Sequence, residues 1–317
     1  MEPPLSPTWL QIEQTLGQRP QFTGDALSMR QQYKAFADQG NSSSTKSANL
    51  SIEDIKISPH LTARVYLPVK PEESQPLPVG VYFHGGGWCC GDLDTEDPFC
   101  QLVAEHLPCV IVSVGYRLAP EYKSPTQLED AREGWNWAFR NASKLNGDIQ
   151  KYFVIGQSAG AHLALALANK LVNLNRQSEV RGIAALVPIT AHPDHIPAEY
   201  VDKYRSFKDC ANAPMNSARA MIEFFDSVGA SPQDPEFFII NSANFDRFPA
   251  TYLAVCDVDP LRDDGLILHD ALNKAGVPTR INHYDGLPHV FWALGCPAPS
   301  GNFLGDVIDG IKFAISS

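Results

Sequence analysis

Positive charge is scarce in this sequence. Its 25 Lys and Arg residues are outnumbered by 36 Asp and Glu residues, which gives a formal net charge of −11. A nucleic-acid partner requires clustered basic side chains that contact phosphates, and no such cluster occurs, so that class of function is excluded. The chain also lacks any run of about 18 apolar residues, so we expect no membrane span. Its first residues, MEPPLSPTWLQIEQ, lack a charged region followed by an apolar core, so we expect no secretory signal.

Metal-binding cysteine patterns are absent as well. The seven cysteines are odd in number and contain no C-x-x-C pair, which excludes the usual spacing of a metal site. Free and mostly buried thiols are typical of a reducing compartment. We therefore expect a cytoplasmic protein, and the acidic composition is compatible with either a monomer or a homodimer.

The order of apolar and polar segments predicts an α/β fold. A chain of 317 residues with 44% apolar content can form one large domain with an insertion. Residues 50–58 and 61–69 alternate as an antiparallel pair would. After a loop at 70–78, short apolar strands alternate with helical segments, which predicts an open, mostly parallel sheet with helices on both faces. The predicted strands are 79–85, 109–116, 152–156, 182–189, 251–257 and 279–285, and the predicted helices are 95–107, 125–145, 160–174, 262–276 and 303–315.

One interval breaks this alternation. The stretch from about residue 190 to about 248 is far longer than a usual connection and contains a predicted helix at 216–228. Ligands of such sheets bind outside the carboxyl ends of the strands. We expect this stretch, together with the helix-compatible residues 1–45, to form a cap over that edge of a single domain spanning 1–317.

A candidate nucleophile lies at a joint between a strand and a helix. Residues 156–160 read GQSAG, with Ser158 between two glycines. A nucleophile on a sharp strand-to-helix turn occupies a strained backbone, and small residues must flank it or the turn would clash with neighbouring elements. The following helix also directs its positive N-terminus at the site. A glycine-rich tight turn is the alternative interpretation of these five residues alone.

A serine nucleophile needs a base and an orienting acid, and in this fold class both follow it in the chain. The strand at 251–257 leads into Asp259, and the last strand leads into His289, so both are expected at the same sheet edge as Ser158. Asp257, Asp263 and Asp264 are rivals for the acid. We favour Asp259 because it begins its loop, whereas Asp263 and Asp264 are better placed to cap or start the next helix.

The sequence HGGGW at 84–88 follows a predicted strand. Attack on an acyl carbonyl creates an oxyanion, which backbone N–H groups stabilise when a substrate can approach them closely, as glycine permits. Gly85 and Gly86 could supply two donors, and Ala159, directly after the nucleophile, could supply a third. A flexible glycine loop is the alternative interpretation.

Five motifs in order give the sequence a family resemblance. They are HGGGW at 84–88, YRLAPE at 116–121, GQSAG at 156–160, DPLRDD at 259–264 and HVF at 289–291. Together they resemble the hormone-sensitive-lipase-like group of α/β-hydrolases, the HGGG carboxylesterases. The resemblance implies a triad of Ser158, His289 and Asp259, an oxyanion hole at Gly85, Gly86 and Ala159, a cap over the substrate pockets, and no metal or organic cofactor. Tyr116 and Arg117 would be structural.

The chain departs from the family pattern at a few positions. Gln157 stands where the family usually has Asp or Glu, and Ala161 where a further glycine is common; Cys256, Asp257 and Val258 replace the usual small pair before the acid motif. None of these changes removes a catalytic group. The N-terminal PTWLQIEQTLGQRP is also similar to fungal secondary-metabolite esterases of the versiconal hemiacetal acetate type.

The sequence therefore predicts a serine hydrolase of small or medium carboxylic esters with a short acyl group. A biosynthetic cyclase, a dehydratase or an acyltransferase with the same fold and triad is the alternative, and a receptor without a complete triad is disfavoured. Aromatic residues could line the ester pocket, although ordinary core packing is the alternative for each of them. These candidates are Trp88, Phe224, Phe225, Phe291 and Trp292.

Overall fold

A computed structural model describes residues 3–42, 45–69, 75–242 and 244–317. Its strands are β1 (Leu50–Ser58), β2 (Leu61–Pro68), β3 (Leu77–Phe83), β4 (Val110–Gly115), β5 (Gly147–Gln157), β6 (Gly182–Leu186), β7 (Ala250–Val258) and β8 (Thr279–Pro288). Its α-helices are α1 (Pro7–Leu16), α2 (Ala26–Asn41), α3 (Asp97–His106), α4 (Thr126–Arg140), α5 (Ala159–Asn173), α6 (Ser206–Asp209), α7 (Ala218–Val228), α8 (Arg262–Lys274) and α9 (Phe303–Ser316).

The strands form one sheet in the order β1-β2-β4-β3-β5-β6-β7-β8. Strands β1 and β2 pair antiparallel, β2 pairs antiparallel with β4, and the remaining neighbours are parallel. The predicted antiparallel pair and the mostly parallel sheet are confirmed. Strand β5 begins at Gly147, five positions before its predicted start, and β6 ends at Leu186 rather than at 189. The early end of β6 coincides with a positive φ of 44° at Val187. Residues 70–74 of the predicted loop lie outside the described residues.

Continuous apolar runs occur in the strands because helices pack on both faces of the sheet. Along β5, Val154 belongs to one core and the flanking Phe153 and Ile155 to the other. The first core includes buried residues of α4, α5 and α8, and the second includes those of α3 and α9. Burial on both sides requires apolar residues at every position of a strand, which is the pattern that the sequence displays.

The N-terminal helices pack against the long β6–β7 connection, here called the β6–β7 segment (188–249). The amide of Met215 donates to Pro20 O at 2.6 Å, and the amide of Ala26 donates to Glu223 Oε1 at 3.0 Å. These bonds join residues nearly 200 positions apart, so the two regions form a continuous layer. Among the described residues, no helix combines the length and the hydropathy needed to cross a bilayer.

Candidate active site

Ser158 lies on a sharp turn between β5 and α5. Its φ is +53°, and its amide donates to Leu186 O at 2.8 Å, which ties the turn to the neighbouring strand β6. A Cβ on Gly160 would overlap the carbonyl oxygen of Phe83, and one on Gly156 would overlap the backbone of Gly160. Close packing of backbone atoms therefore explains why both positions require glycine, as the sequence predicts.

Ser158, His289 and Asp259 form one hydrogen-bonded chain. His289 Nδ1 lies 2.6 Å from Asp259 Oδ2, and His289 Nε2 lies 3.0 Å from Ser158 Oγ. Asp259 also accepts the amide of Leu261 at 3.0 Å through its other oxygen. All three side chains are buried. A carboxylate on one side of the ring assigns the N–H to Nδ1, so Nε2 is left to accept the serine proton.

The rival acids have other partners. Asp263 and Asp264 lie in the first turn of α8, as predicted, but their carboxylates bind the β6–β7 segment. Asp263 accepts the amides of Arg205 and Ser206, each at 2.6 Å. Asp264 accepts the amides of Thr190 at 2.7 Å and Ala191 at 2.9 Å, while its burial raises its pKa to about 7. Asp257 accepts the amide of Gly286 at 3.3 Å.

In the glycine loop (residues 84–88), one of the predicted oxyanion donors is wrong. The Gly85 N–H donates to Glu96 Oε1 at 3.0 Å, so it is already occupied and does not face a substrate carbonyl. Gly86 and Gly87 adopt φ values of +106° and +58°, and within the described part of the chain their amides donate to no acceptor. Ala159 is the first residue of α5, whose amide has no intrahelical partner. Gly86, Gly87 and Ala159 are therefore the available donors.

The motif YRLAPE contacts the first residue of the glycine loop. The Tyr116 hydroxyl donates to His84 O at 2.8 Å, and the two rings stack with centroids 4.1 Å apart. Burial lowers the pKa of His84 to about 4, so this histidine is neutral. Arg117 forms an ion pair with Asp130 at 2.6 Å. These contacts match the structural roles that the resemblance implies for Tyr116 and Arg117.

A narrow cavity of about 40 Å³ contains Ser158 and His289. Its walls come from the glycine loop, from the N-terminal helices and from the β6–β7 segment. The last two regions contribute Phe22, Met29, Tyr33, Met215, Asn216, Met221 and Phe224. Phe224 packs so closely on Gly87 that any Cβ there would overlap its ring. The absence of a side chain at Gly87 is what allows this cavity wall to approach the loop.

Of the aromatic residues proposed from sequence, only Phe224 lines this cavity. Trp88 is fully buried and donates its indole N–H to His162 Nδ1 at 3.1 Å. Phe225 packs on His192 and Phe291 packs on Tyr284, both inside the core. Trp292 donates to Gln157 Oε1 at 3.1 Å beside a neighbouring cavity. Phe224 lies in the cavity wall and the adjacent Phe225 lies in the core because successive residues of α7 point in different directions, which composition alone does not reveal.

Glu96 is a site residue that the sequence did not single out. Its carboxyl is 8% exposed and accepts from Gly85 N and from the Tyr33 hydroxyl, at 3.0 Å and 3.2 Å. Burial raises its pKa to about 7, although the side chain of Gln157, the Gly85 amide and the Tyr33 hydroxyl act in the opposite direction. The only sequence signal is an acid a few residues beyond HGGGW, and four other acids in 92–105 give the same signal.

One group of side chains has the composition of a metal site. Single ligand atoms of His60, Asp130 and Glu133 lie within 4.8 Å of one another. The Arg117 guanidinium already binds both carboxylate oxygens of Asp130. A cation would compete with that positive charge, so the cluster is better suited to an ion-pair network than to a metal.

Comparisons with known proteins agree with this geometry. A family model for the α/β-hydrolase fold matches residues 80–293. The chain is 40% identical to a versiconal hemiacetal acetate esterase of Dothistroma septosporum over 77% of this chain and 75% of that protein. It is 30% identical to an ethyl acetate hydrolase of Pseudomonas putida over 74% and 72% of the two chains. The crystal structure of a vibralactone cyclase superposes with a TM-score of 0.89 at 28% identity, covering 99% of this chain and 96% of that one.

The matched region includes the glycine loop, the Ser158 turn, Asp259 and His289, and the sheet order is the one described above. The two relatives compared by sequence, which share most of their length with this chain, are named as an esterase and a hydrolase. The chain therefore belongs to the α/β-hydrolase fold family and is a carboxylesterase-type enzyme of that family.

Proposed function

We propose that this enzyme hydrolyses small carboxylic esters through an acyl-enzyme on Ser158, with His289 as general base and Asp259 as the orienting acid. The observation that carries the proposal is the buried chain from Asp259 through His289 to Ser158 Oγ, with contacts of 2.6 Å and 3.0 Å. Each contact lies within the range over which a proton can be transferred or a ring held in place.

In the first half-reaction, Ser158 Oγ attacks the ester carbonyl carbon and its proton passes to His289 Nε2. The tetrahedral intermediate collapses as its C–O bond to the alcohol breaks, and His289 returns the proton to the departing alkoxide. In the second half-reaction, His289 takes a proton from water, the hydroxide attacks the acyl carbon, and the released Ser158 oxygen regains a proton. Asp259 stabilises the imidazolium that forms in both halves.

The oxyanion is stabilised by the amides of Gly86, Gly87 and Ala159. Backbone donors of a preorganised loop need no reorganisation when negative charge develops, and removal of one such donor typically costs about 3 kcal/mol of transition-state stabilisation. The N-terminus of α5 adds its partial positive charge at the same place. This assignment replaces Gly85 with Gly87 because Glu96 already holds the Gly85 N–H.

The acyl group is short. The cavity around Ser158 is narrow, at about 40 Å³, which favours a small acyl group such as acetyl. Two relatives are named for acetate esters, which supports the same size limit. We also propose that residues 1–45 and the β6–β7 segment act as the cap, since both contribute walls to this cavity.

An intramolecular acyl transfer is a second candidate. The similarity to a vibralactone cyclase over almost the whole of both chains favours it. Both reactions can share the acyl-enzyme, and they differ in whether water or a hydroxyl of the substrate accepts the acyl group. Cyclisation, transfer to another alcohol and elimination remain the alternatives to hydrolysis.

The compartment and the molecular partners follow from the same features. Six cysteines are buried free thiols, which fits a reducing compartment such as the cytoplasm; they are Cys89, Cys90, Cys100, Cys109, Cys256 and Cys296. A small-molecule ester is the proposed partner, and the chain acts as a monomer or a homodimer.

The test is turnover of p-nitrophenyl acetate, butyrate and octanoate by the wild type and by Ser158→Ala. We expect release of p-nitrophenol by the wild type alone, with rates that fall as the acyl chain lengthens. An organophosphate should add one phosphoryl group at Ser158, visible by intact mass. Turnover by folded Ser158→Ala equal to that of the wild type would refute the mechanism. Labelling at Ser158 without ester turnover would favour the acyl-transfer candidate.

A further inference from the structure

Glu96 is a buried acid without a cationic partner. Its Oε1 accepts the Gly85 amide at 3.0 Å and the Tyr33 hydroxyl at 3.2 Å. Its Oε2 is buried and accepts no hydrogen bond of full geometry among the described residues, although the nearby Gln157 side chain also lowers the pKa of this carboxyl. No Lys, Arg or His in the described ranges forms an ion pair with it. An acid in such surroundings is costly to the fold, so its presence beside the glycine loop calls for a role there.

The contact with Gly85 determines which amides of the loop remain free. The Gly85 N–H is held by Glu96, and the backbone then turns through the positive φ values of Gly86 and Gly87. If the Gly85 amide were released, the loop could rotate, and the two following amides would lose their common direction. An oxyanion hole depends on donors that are aimed before the reaction begins.

Helix α2 holds this arrangement from outside. Tyr33 donates its hydroxyl to Glu96, and one turn earlier Arg30 donates Nε to Cys89 O, directly after the loop. Arg30 also donates to Ala119 O at 2.6 Å and pairs with Glu121 at 2.7 Å. Helix α2 therefore acts at both ends of the glycine loop. It reaches Gly85 through Glu96, and it binds Cys89 directly after the loop.

We propose that Glu96 is a positioning residue that sets the oxyanion-binding conformation of the glycine loop by holding the Gly85 amide, with Tyr33 of α2 keeping Glu96 in place. The proposal rests on the proposed oxyanion hole of Gly86, Gly87 and Ala159. Glu96 touches neither the substrate nor the reacting atoms. It acts through the direction of the two amides that follow Gly85.

This role predicts a loss of kcat with little change in KM. Glu96→Ala removes the acceptor for Gly85 and should lower kcat by about 10- to 100-fold. This reduction should not exceed the one caused by removing a complete oxyanion donor. Glu96→Gln keeps an oxygen that can accept from both Gly85 and Tyr33, so it should restore kcat to within about fivefold of the wild type. Glu96→Asp shortens the side chain, keeps its charge and should resemble Glu96→Ala.

The experiment measures kcat and KM for p-nitrophenyl acetate in these three variants, with the unfolding midpoint recorded for each. Glu105→Ala is the control, because Glu105 lies on the same helix α3 and binds Asn49 at 3.4 Å rather than the glycine loop. If Glu96→Ala does not fold, the comparison of Glu96→Asp with Glu96→Gln carries the test. Wild-type kcat in a folded Glu96→Ala or Glu96→Asp variant would overturn the proposal, and so would equal losses in Glu96→Asp, Glu96→Gln and Glu105→Ala.

A second readout separates this proposal from the proposed function. The rate of phosphorylation of Ser158 by an organophosphate also depends on the loop, because the P=O oxygen becomes charged in the same place. If the wild type were labelled but hydrolysed no ester, the hydrolase assignment would fail while slower labelling of Glu96→Asp still supported the positioning role. Equal labelling rates in Glu96→Asp and the wild type would refute the role independently of turnover.

Discussion

The two sides of the Ser158 cavity are built in different ways. On one side, the nucleophile turn joins β5 directly to α5, and its glycines are required by backbone atoms that lie within a few residues or on the next strand. On the other side, the walls include α2 and α7, which are linked by the hydrogen bond from the Ala26 amide to Glu223 Oε1, between residues nearly 200 positions apart. The nucleophile turn is thus encoded locally, whereas the shape of the pocket depends on long-range packing. Each side can be perturbed separately.

The largest effect is expected at the catalytic side. Asp259→Asn should lower kcat by about 10⁴-fold, because the amide no longer selects the Nδ1–H tautomer of His289 or balances its charge. The variant should unfold within a few degrees of the wild type, since an amide can still accept from Leu261. Steady-state kinetics measures kcat, and circular dichroism measures the unfolding temperature of the variant. A fall of less than tenfold would favour one of the other acids as the orienting group.

The nucleophile turn should tolerate no added atom at Gly160. Gly160→Ala places a Cβ on the carbonyl oxygen of Phe83, and we expect a loss of at least about 3 kcal/mol in the free energy of unfolding together with loss of activity. Gly40→Ala is the matched control, because a Cβ on Gly40 in α2 meets nothing within 4 Å. That control should be neutral or stabilising by up to about 1 kcal/mol. Urea unfolding of both variants tests the contrast.

The β6–β7 segment depends on a buried acid at the start of α8. Asp264→Ala leaves the amides of Thr190 and Ala191 without their acceptor, which should cost about 2–3 kcal/mol in the free energy of unfolding. Because these amides begin the β6–β7 segment, KM for p-nitrophenyl acetate should rise by more than kcat falls. A variant that loses kcat with unchanged KM would mean that this acid supports the catalytic side instead.

Glu96 should make stability depend on pH. Burial raises its folded-state pKa from 4.5 to about 7, so the folded protein holds a proton that the unfolded chain has released. The stabilisation is fully present below about pH 4.5 and is lost as the pH rises through 7, a change on the order of 2 kcal/mol. In Glu96→Gln this component should disappear. Urea unfolding of the wild type and of Glu96→Gln at pH 5 and pH 8 tests this prediction. An equal change in the free energy of unfolding between the two pH values in both proteins would contradict it.

The smallest effect is expected in substrate preference. Phe224→Ala removes a wall of the cavity and should raise the ratio of octanoate to acetate hydrolysis by about tenfold, within the range that a few methylene groups can contribute in an apolar pocket. Phe225→Leu is the control, because Phe225 is adjacent in the sequence but packs in the core against His192. A similar shift in both variants would show that α7 moved as a whole.

Much of this arrangement could be predicted because its signals are periodic or local. The predicted antiparallel pair, the alternation of strands and helices and the position of α7 match the structure within a few residues. The choice of Asp259 over its rivals depended on where the strand ends and where the next helix begins. The Gly85 donor was wrong for a different reason. Three consecutive glycines look alike in sequence, and the direction of each amide depends on Glu96, which lies eleven residues further on.

By itself, the sequence determined the sheet, the nucleophile turn and the order of serine, acid and histidine, because hydrophobic periodicity and backbone sterics act over short distances. Only the tertiary structure decided which glycine amides are free, which aromatic residue of α7 faces the cavity, and how α2 reaches the glycine loop. Those features are set by side chains that meet across long chain separations, where packing rather than local preference selects one arrangement.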